Sequence, residues 1–268
     1  MKKKILIKGA GEQATGTAHR LFQCGFHVVM TELSNPQVVR RTVSFAECVY
    51  QGNQTVESVR SECFAVSKYQ MLDSFDWSMI PVFIDPECQL LNLWKPDVLI
   101  DARIMKRNQG NRKGDAPLLI GLGPGIEAGK DVDVVIETNR GHNLGRIISN
   151  GYTEENTGIP GTIGSYASKR VLRSPCDGTF RSRCRITDQV NAGQSIGSVN
   201  DQEIYAEIPG IIRGLIYPGS KVSRGLKIGD IDPRGSSASC HTISDKARTI
   251  SGAVLESILA FLIHREKR

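Results

Sequence analysis

After an apolar run at residues 5–7 the chain reads Gly9-Ala10-Gly11-Glu12-Gln13-Ala14, a G-x-G-x-x-A turn that opens onto a helical pattern. This spacing suits the capture of a phosphate. Gly9 permits a tight turn, Gly11 lets backbone amides approach an anion, Ala14 allows close helix packing, and the helix N-terminus adds partial positive charge. Glu12, Thr15 and Gly16 belong to the same turn and the start of its helix. Glu32, ending the next apolar run, is placed to accept a ribose hydroxyl. A glycine turn at a strand–helix junction also serves packing alone.

A second glycine loop, Gly121-Leu122-Gly123-Pro124-Gly125, follows a later apolar run. In a doubly wound sheet such loops line the crevice at the carboxyl ends of the strands. Lys106 and Arg107, and Asn139, Arg140 and His142, follow runs of the same kind and are expected to converge there. The pair Arg40-Arg41 suits a phosphorylated small molecule as well as it suits solvent. Cys240-His241 stands close to Asp245 and Lys246, and a thiol near a helix start makes Cys240 the best candidate nucleophile. Adjacent Cys and His side chains usually diverge, no further ligand cluster suggests a metal, and whether the protein is an enzyme stays open.

Elements that could position these residues are legible by period. Apolar runs at 4–8, 27–32, 80–85, 97–101, 117–121 and 132–136 suit strands of a parallel sheet covered on both faces. Residues 14–24 read as helix closed by Gly25, which makes the first βαβ unit. Residues 36–50 read as a second helix, with Val39, Val43 and Ala46 on its stripe, and 52–79 as strand pairs followed by a helix.

From about residue 170 the texture changes to short β runs punctuated by glycine. Residues 174–199 align without gaps on 206–231, pairing Gly178 with Gly210, Gly193 with Gly225 and Gly197 with Gly229. Two equal β-halves imply a quasi-two-fold sandwich, which resembles the barrel-sandwich hybrid of biotinyl and lipoyl carriers. The hairpin between the halves, Val199-Asn200-Asp201-Gln202-Glu203-Ile204, has no lysine to take biotin or lipoate, so neither is expected. A last helix spans 245–265 behind the capping pattern Thr242-Ile243-Ser244-Asp245.

The expected fold is an α/β Rossmann-like domain at 1–168, an all-β biotinyl/lipoyl-like barrel-sandwich domain at 169–233, and a C-terminal loop and helix at 234–268. Composition sets the class: 268 residues with 40% hydrophobic and 23% charged side chains suit one or two globular cores. The net charge of +6 is spread along the chain without an aromatic-and-basic signature, so nucleic acid is not an expected partner. No uninterrupted apolar stretch approaches the roughly 20 residues of a membrane helix. Seven singly spaced cysteines suit reduced thiols in the cytoplasm. A homo-oligomer is compatible with all of this.

Nearly the whole length resembles the YqeB-type family, accessory proteins of the selenium-dependent molybdenum hydroxylase system whose Rossmann-like part is related to xanthine dehydrogenase accessory proteins. The resemblance rests on KGAGEQATGTAHRLFQCGFHVVMTEL, RRTVSFAECVYQG, PDVLIDARIMKRN, the run from PLLIGLGPG to GHNLGR, NTGIPGTIGSYASKRVLRSPCDG, GDIDPRG and HTISDKAR in combination. It implies a factor that matures or inserts the molybdenum cofactor in a client hydroxylase, with a molybdopterin dinucleotide as a ligand suited to the glycine loops. It implies no catalytic residue. Two other readings stay open: an NAD(P)-dependent oxidoreductase, carried by Gly9, Gly11, Ala14 and Glu32, and an adaptor with a vestigial nucleotide site.

Overall fold

In the computed structural model, which describes residues 2–156, 158, 161–162 and 164–266, two compact units are built from interleaved segments: 1–36, 45–156 and 243–268 in one, 37–44 and 157–242 in the other. The first is organised by β1 (Lys4–Lys8), whose Ile5, Leu6 and Ile7 are fully buried, as expected where both faces of a sheet are covered. α1 (Glu12–Gln23) returns the chain to β2 (His27–Glu32), parallel to β1. A short helix α2 (Cys48–Gln51) precedes the hairpin β3 (Asn53–Val56) and β4 (Val59–Ala65). Then come β5 (Ile80–Ile84), α3 (Leu90–Trp94), β6 (Val98–Asp101), β7 (Leu118–Leu122), β8 (Val134–Ile136) and β9 (Ile147–Ile148).

The nine strands form one sheet in the order β3-β4-β5-β2-β1-β6-β7-β8-β9. Strands from β4 to β8 run parallel, and the edges β3 and β9 pair antiparallel. Leu6, Val29, Phe83, Leu90, Leu99 and Leu119 share one buried cluster. Each such side chain contributes on the order of 1.5–3 kcal/mol by leaving water.

In the second unit, β10 (Val171–Arg173), β11 (Gly178–Ser182), β12 (Gln189–Val190), β13 (Ser195–Val199), β14 (Gln202–Tyr205), β15 (Gly210–Leu215), β16 (Lys221–Val222) and β17 (Lys227–Asp232) make two four-stranded sheets, β10-β17-β15-β12 and β14-β13-β11-β16. The sequence repeat is visible in the backbone. Gly178 and Gly210 have φ of 157° and 155°, and Gly193 and Gly225 both have 81°. Phe180, Ile196, Val199, Ile212, Ile228 and Ile231 fill the core of this unit. A turn of helix, α4 (Ala238–His241), follows.

Several expectations are corrected here. Residues 36–50 are not one helix: they form 3-10 turns at Arg41–Val43 and Phe45–Glu47 and then α2. Tertiary pairing overrides the stripe, because Val39 O accepts the amide of Leu215 (2.8 Å) and draws 37–44 onto β15. The helix expected within 52–79 is a 3-10 run, Val66–Ser74. The last helix, α5 (Asp245–Glu266), is not an appendage. It belongs to the first unit and lies along α1.

The fold class is corrected with them. A doubly wound sheet needs helices alternating with every strand. Among the described residues only α1 is a full-length crossover, of 12 residues; α2 and α3 have four and five. The sheet is mixed rather than parallel throughout, and a C-terminal helix covers it in place of a crossover. The stretch Ala238–His264 is long and apolar enough, by length and composition, to cross a membrane. Within the first unit it buries Ala247, Ile250, Val254 and Ile258 as a core helix does.

Candidate functional site

Lys8, Glu32, Asp101 and Leu122 end four parallel strands on one edge of the nine-stranded sheet. Gly9 leaves β1 at φ +92°, a conformation that favours glycine, and its amide donates to Thr31 O (2.9 Å). A Cβ there would stand 3.3 Å from Arg103 Cγ, so the arginine lies across the turn. Gly11 is the N-cap of α1 and has no side chain with which to accept the first-turn amides.

Glu32 braces this turn. Its two carboxylate oxygens accept the amides of Ala10 and Leu33, both at 2.8 Å. Burial pushes its carboxyl above the usual range, against the pull of those two amides. Thr15 does similar work from below: its hydroxyl donates to Ala10 O (3.0 Å) and accepts the amide of Phe45 (2.8 Å). Ala46 also donates to Ala10 O, at 2.9 Å.

Beside the turn lies a buried polar network that the sequence reading missed. Arg103 forks onto Asp101 (Nε–Oδ1 2.9 Å, Nη2–Oδ2 2.7 Å), Asn111 donates to Asp101 Oδ2 (2.6 Å), and Lys8 Nζ donates to Asn111 Oδ1 (2.9 Å). Burial pushes the Asp101 carboxyl up, but the hydrogen bonds and charge of Arg103 and the amide of Asn111 outweigh it and hold it below its usual value. The legible signal was Asp101-Ala102-Arg103 at the end of an apolar run. One acceptor in the first turn of α1, Gln13 Oε1, is buried with no hydrogen-bond partner among the described residues.

The remaining expected site residues separate into groups. Ala14 and Gly16 are buried in α1; a Cβ on Gly16 would come within 2.8 Å of Ala247 Cβ, so this glycine admits α5. Glu12 stands half-exposed in the first turn. Gly121 packs on Ile126, Gly123 (φ +85°) on Thr138, and Gly125 (φ +83°) on the backbone of Lys106, where a Cβ would meet the carbonyl at 2.1 Å. This second glycine loop therefore gives close backbone approach, not an open cradle. Lys106 and Arg107 are exposed on the loop that Gly125 touches.

Asn139 donates to Glu154 (2.6 Å), Arg140 forks onto Asp245 at the start of α5 (2.7 and 2.8 Å), and His142 is exposed. Arg40 and Arg41 belong to the second unit. There Arg40 donates to the carbonyl of Ser239 (2.8 Å) and Arg41 to that of Leu215 (2.8 Å), while Arg41 also covers the Tyr217 ring. Cys240 is fully buried, its thiol aimed at Ile212 O (3.8 Å). Burial pushes that thiol up, against the charges of Arg40 and Arg213, and its side chain packs inside the second unit. His241 beside it is exposed. No group of three or more His, Cys, Asp or Glu side chains suited to a metal occurs among the described residues.

No family model matches the chain. It is 45% identical over 261 residues to the uncharacterized protein YqeB of Escherichia coli, covering 97% of this chain and 48% of that protein. The chain thus spans about half the length of the curated relative it matches. Solved structures that it resembles weakly include an aspartoacylase family protein from Mesorhizobium loti, with a TM-score of 0.28 and 13% identity over 86% of this chain and 85% of that one. The ectoine utilization protein EutE from Ruegeria pomeroyi gives a TM-score of 0.26 and 12% identity over 86% of each chain. A succinylglutamate desuccinylase from Silicibacter gives 0.25 and 12%, over 86% of this chain and 85% of that one. The curated relative is itself uncharacterized. The expectations of a molybdenum hydroxylase maturation factor, an NAD(P)-dependent oxidoreductase and a nucleotide-site adaptor find no support in these comparisons and are not retained, and the Rossmann-plus-carrier architecture gives way to the mixed sheet described above.

Proposed function

We propose that the first unit is a binding module for a small molecule that carries an anionic group and, next to it, a hydrogen-bond donor. The anion lies at the N-terminus of α1, over the turn Gly9-Ala10-Gly11, and the donor meets Gln13. What carries the reading is the first turn of α1: its N-cap is a glycine without a capping side chain, and within that turn Gln13 Oε1 is a buried acceptor with no hydrogen-bond partner among the described residues. A helix of 12 residues presents partial positive charge there. Glu32, Thr15 and Ala46 fix the turn through backbone bonds, so little ordering remains to be done on binding. Lys106 and Arg107, exposed on the neighbouring loop, favour the approach of a negative ligand.

The chemistry available is recognition. With Asp101 locked by Arg103 and Asn111, and Glu32 engaged by two amides, this edge holds its carboxylates in structural bonds. The test is a thermal-shift screen of the purified chain against small phosphates and carboxylates, with and without a neighbouring hydroxyl or amide. A ligand that raises the midpoint of the wild type should leave Gly11→Trp unmoved and act weakly on Gln13→Leu, both variants retaining the native circular dichroism. Equal stabilisation of all three proteins would refute the reading.

A further inference from the structure

Two of the seven cysteines stand apart from the rest. Cys48 opens α2 and Cys63 lies in the middle of β4, 15 positions along the chain, yet one residue bonds to the backbone of both: Gly52, at φ +80°, donates its amide to Cys48 O (2.7 Å) and accepts the amide of Cys63 on its carbonyl (2.9 Å). Their thiols lie within interaction range, and each shifts the other's ionisation. Cys48 is fully buried, while Cys63 is half-buried and reachable from solvent. Other thiols are spent differently: Cys176, Cys184 and Cys240 point at main-chain carbonyls.

We propose that Cys48 and Cys63 are a site of reversible oxidation that closes to an intramolecular disulfide when a peroxide is the oxidant. The neighbouring Cys48 thiol favours the thiolate of Cys63, whereas the same interaction, together with burial, holds Cys48 protonated. Cys63 sulfur therefore attacks one oxygen of hydrogen peroxide, which keeps its hydrogen in the resulting sulfenic acid; the O–O bond breaks, and the departing hydroxide leaves as water with the one proton that the Cys63 thiol released. Cys48 sulfur then attacks Cys63 sulfur. The S–S bond forms, the S–O bond breaks, and the hydroxyl leaves as a second water with the Cys48 proton. Two thiols are oxidised by two electrons and one peroxide is reduced to two waters.

Closure ties α2 to the β3–β4 hairpin. The turn just before α2 carries Ala46, whose amide holds Ala10 O, so the modification lies one short segment from the glycine turn. The site stands on the thiol pair and does not depend on whether that turn binds an anion.

The experiment uses the full chain, reduced and then exposed to an equimolar dose of hydrogen peroxide, followed by alkylation of remaining thiols and peptide mapping without reductant. The expected product is a peptide pair joined through Cys48 and Cys63, lost on treatment with a dithiol. Cys48→Ala should stop at the sulfenic acid of Cys63, trapped by a cyclic 1,3-diketone, and Cys24→Ser should behave as wild type. Recovery of Cys48 and Cys63 alkylated while other cysteines have reacted would overturn the proposal, as would a Cys63 sulfinic acid beside a free Cys48.

Discussion

At the scale of single residues, the carboxyl edge of the sheet is governed by one buried salt bridge. Asp101 is 3% exposed and receives Arg103 and Asn111. Removing one partner of such a pair leaves the other charge buried, and Asp101→Asn is expected to cost about 3–5 kcal/mol, read from denaturant unfolding. Asp101→Asn should also change the acid limb of stability. Because the folded carboxyl lies below its usual value, its contribution is fully present above the unfolded value, near about 3.9, and disappears as pH falls through the lower folded one. Wild type and variant should therefore converge in stability under acid conditions and separate above them. Glu32 has the opposite sign: burial raises its carboxyl, so ionising it costs folding stability as pH rises.

These residues show what could be read in advance. The turn Gly9 to Ala14 and its acidic partner Glu32 were legible because a strand, glycines and a helix occur in a fixed order. The partner itself took a different role, since a carboxylate that accepts two amides braces a loop without needing a ribose. Asn111 was invisible because it acts through Asp101 from a loop, where no period marks which side chain turns inward. Arg40 and Arg41 misled for a complementary reason: a pair of cations reads as a phosphate site, yet carbonyls of Ser239 in α4 and Leu215 in β15 accept their hydrogen bonds.

At the scale of elements, the pairing of α1 with α5 decides how the first unit closes. Gly16 lets Ala247 approach, Arg20 donates to Ser251 (2.8 Å) and to Arg248 O (3.2 Å), and Arg248 forks onto Glu57 (2.7 Å twice). Ser244 caps α5 by accepting the amide of Ala247 (3.3 Å), two positions beyond the cap that the pattern from Thr242 to Asp245 indicated; the Thr242 hydroxyl instead donates to Ala238 O (3.0 Å). An enlarged side chain at Gly16 should cost more than its helix propensity returns. Gly16→Leu is expected to lose about 1–3 kcal/mol by overpacking, measured by thermal unfolding. The same change at Gly25, where no heavy atom lies within 4 Å of a built Cβ, should cost only the strain of its φ of +85°. The extent of α5 was legible; its partner was not, because a helical reading does not name the surface that the helix meets.

At the scale of the whole molecule, linear boundaries at 168/169 and 233/234 follow changes of texture, whereas compactness follows an interleaved path. Residues 37–44 leave the sheet unit to serve the other, and α5 returns to the sheet after the β-rich segment ends. The excursion is held by Val39 against β15, where a Cβ on Gly214 would stand 2.8 Å from both Val39 Cγ1 and its carbonyl oxygen. Gly214→Ala should therefore detach this segment. The expected sign is loss of hydrogen-exchange protection at the Leu215 amide, which bonds Val39 O, with the β13–β14 amides unchanged. Retained protection at Leu215 would show that the segment is held elsewhere.

The claim that organises the rest is that the first turn of α1 receives an anion, and backbone amides report this directly. In an amide-resolved nuclear magnetic resonance titration with the best compound from the thermal screen, shifts should saturate and concentrate at Gly9 through Ala14 and at Arg103. Saturating shifts confined to other parts of the sheet unit, or to the β-rich unit, would contradict the account.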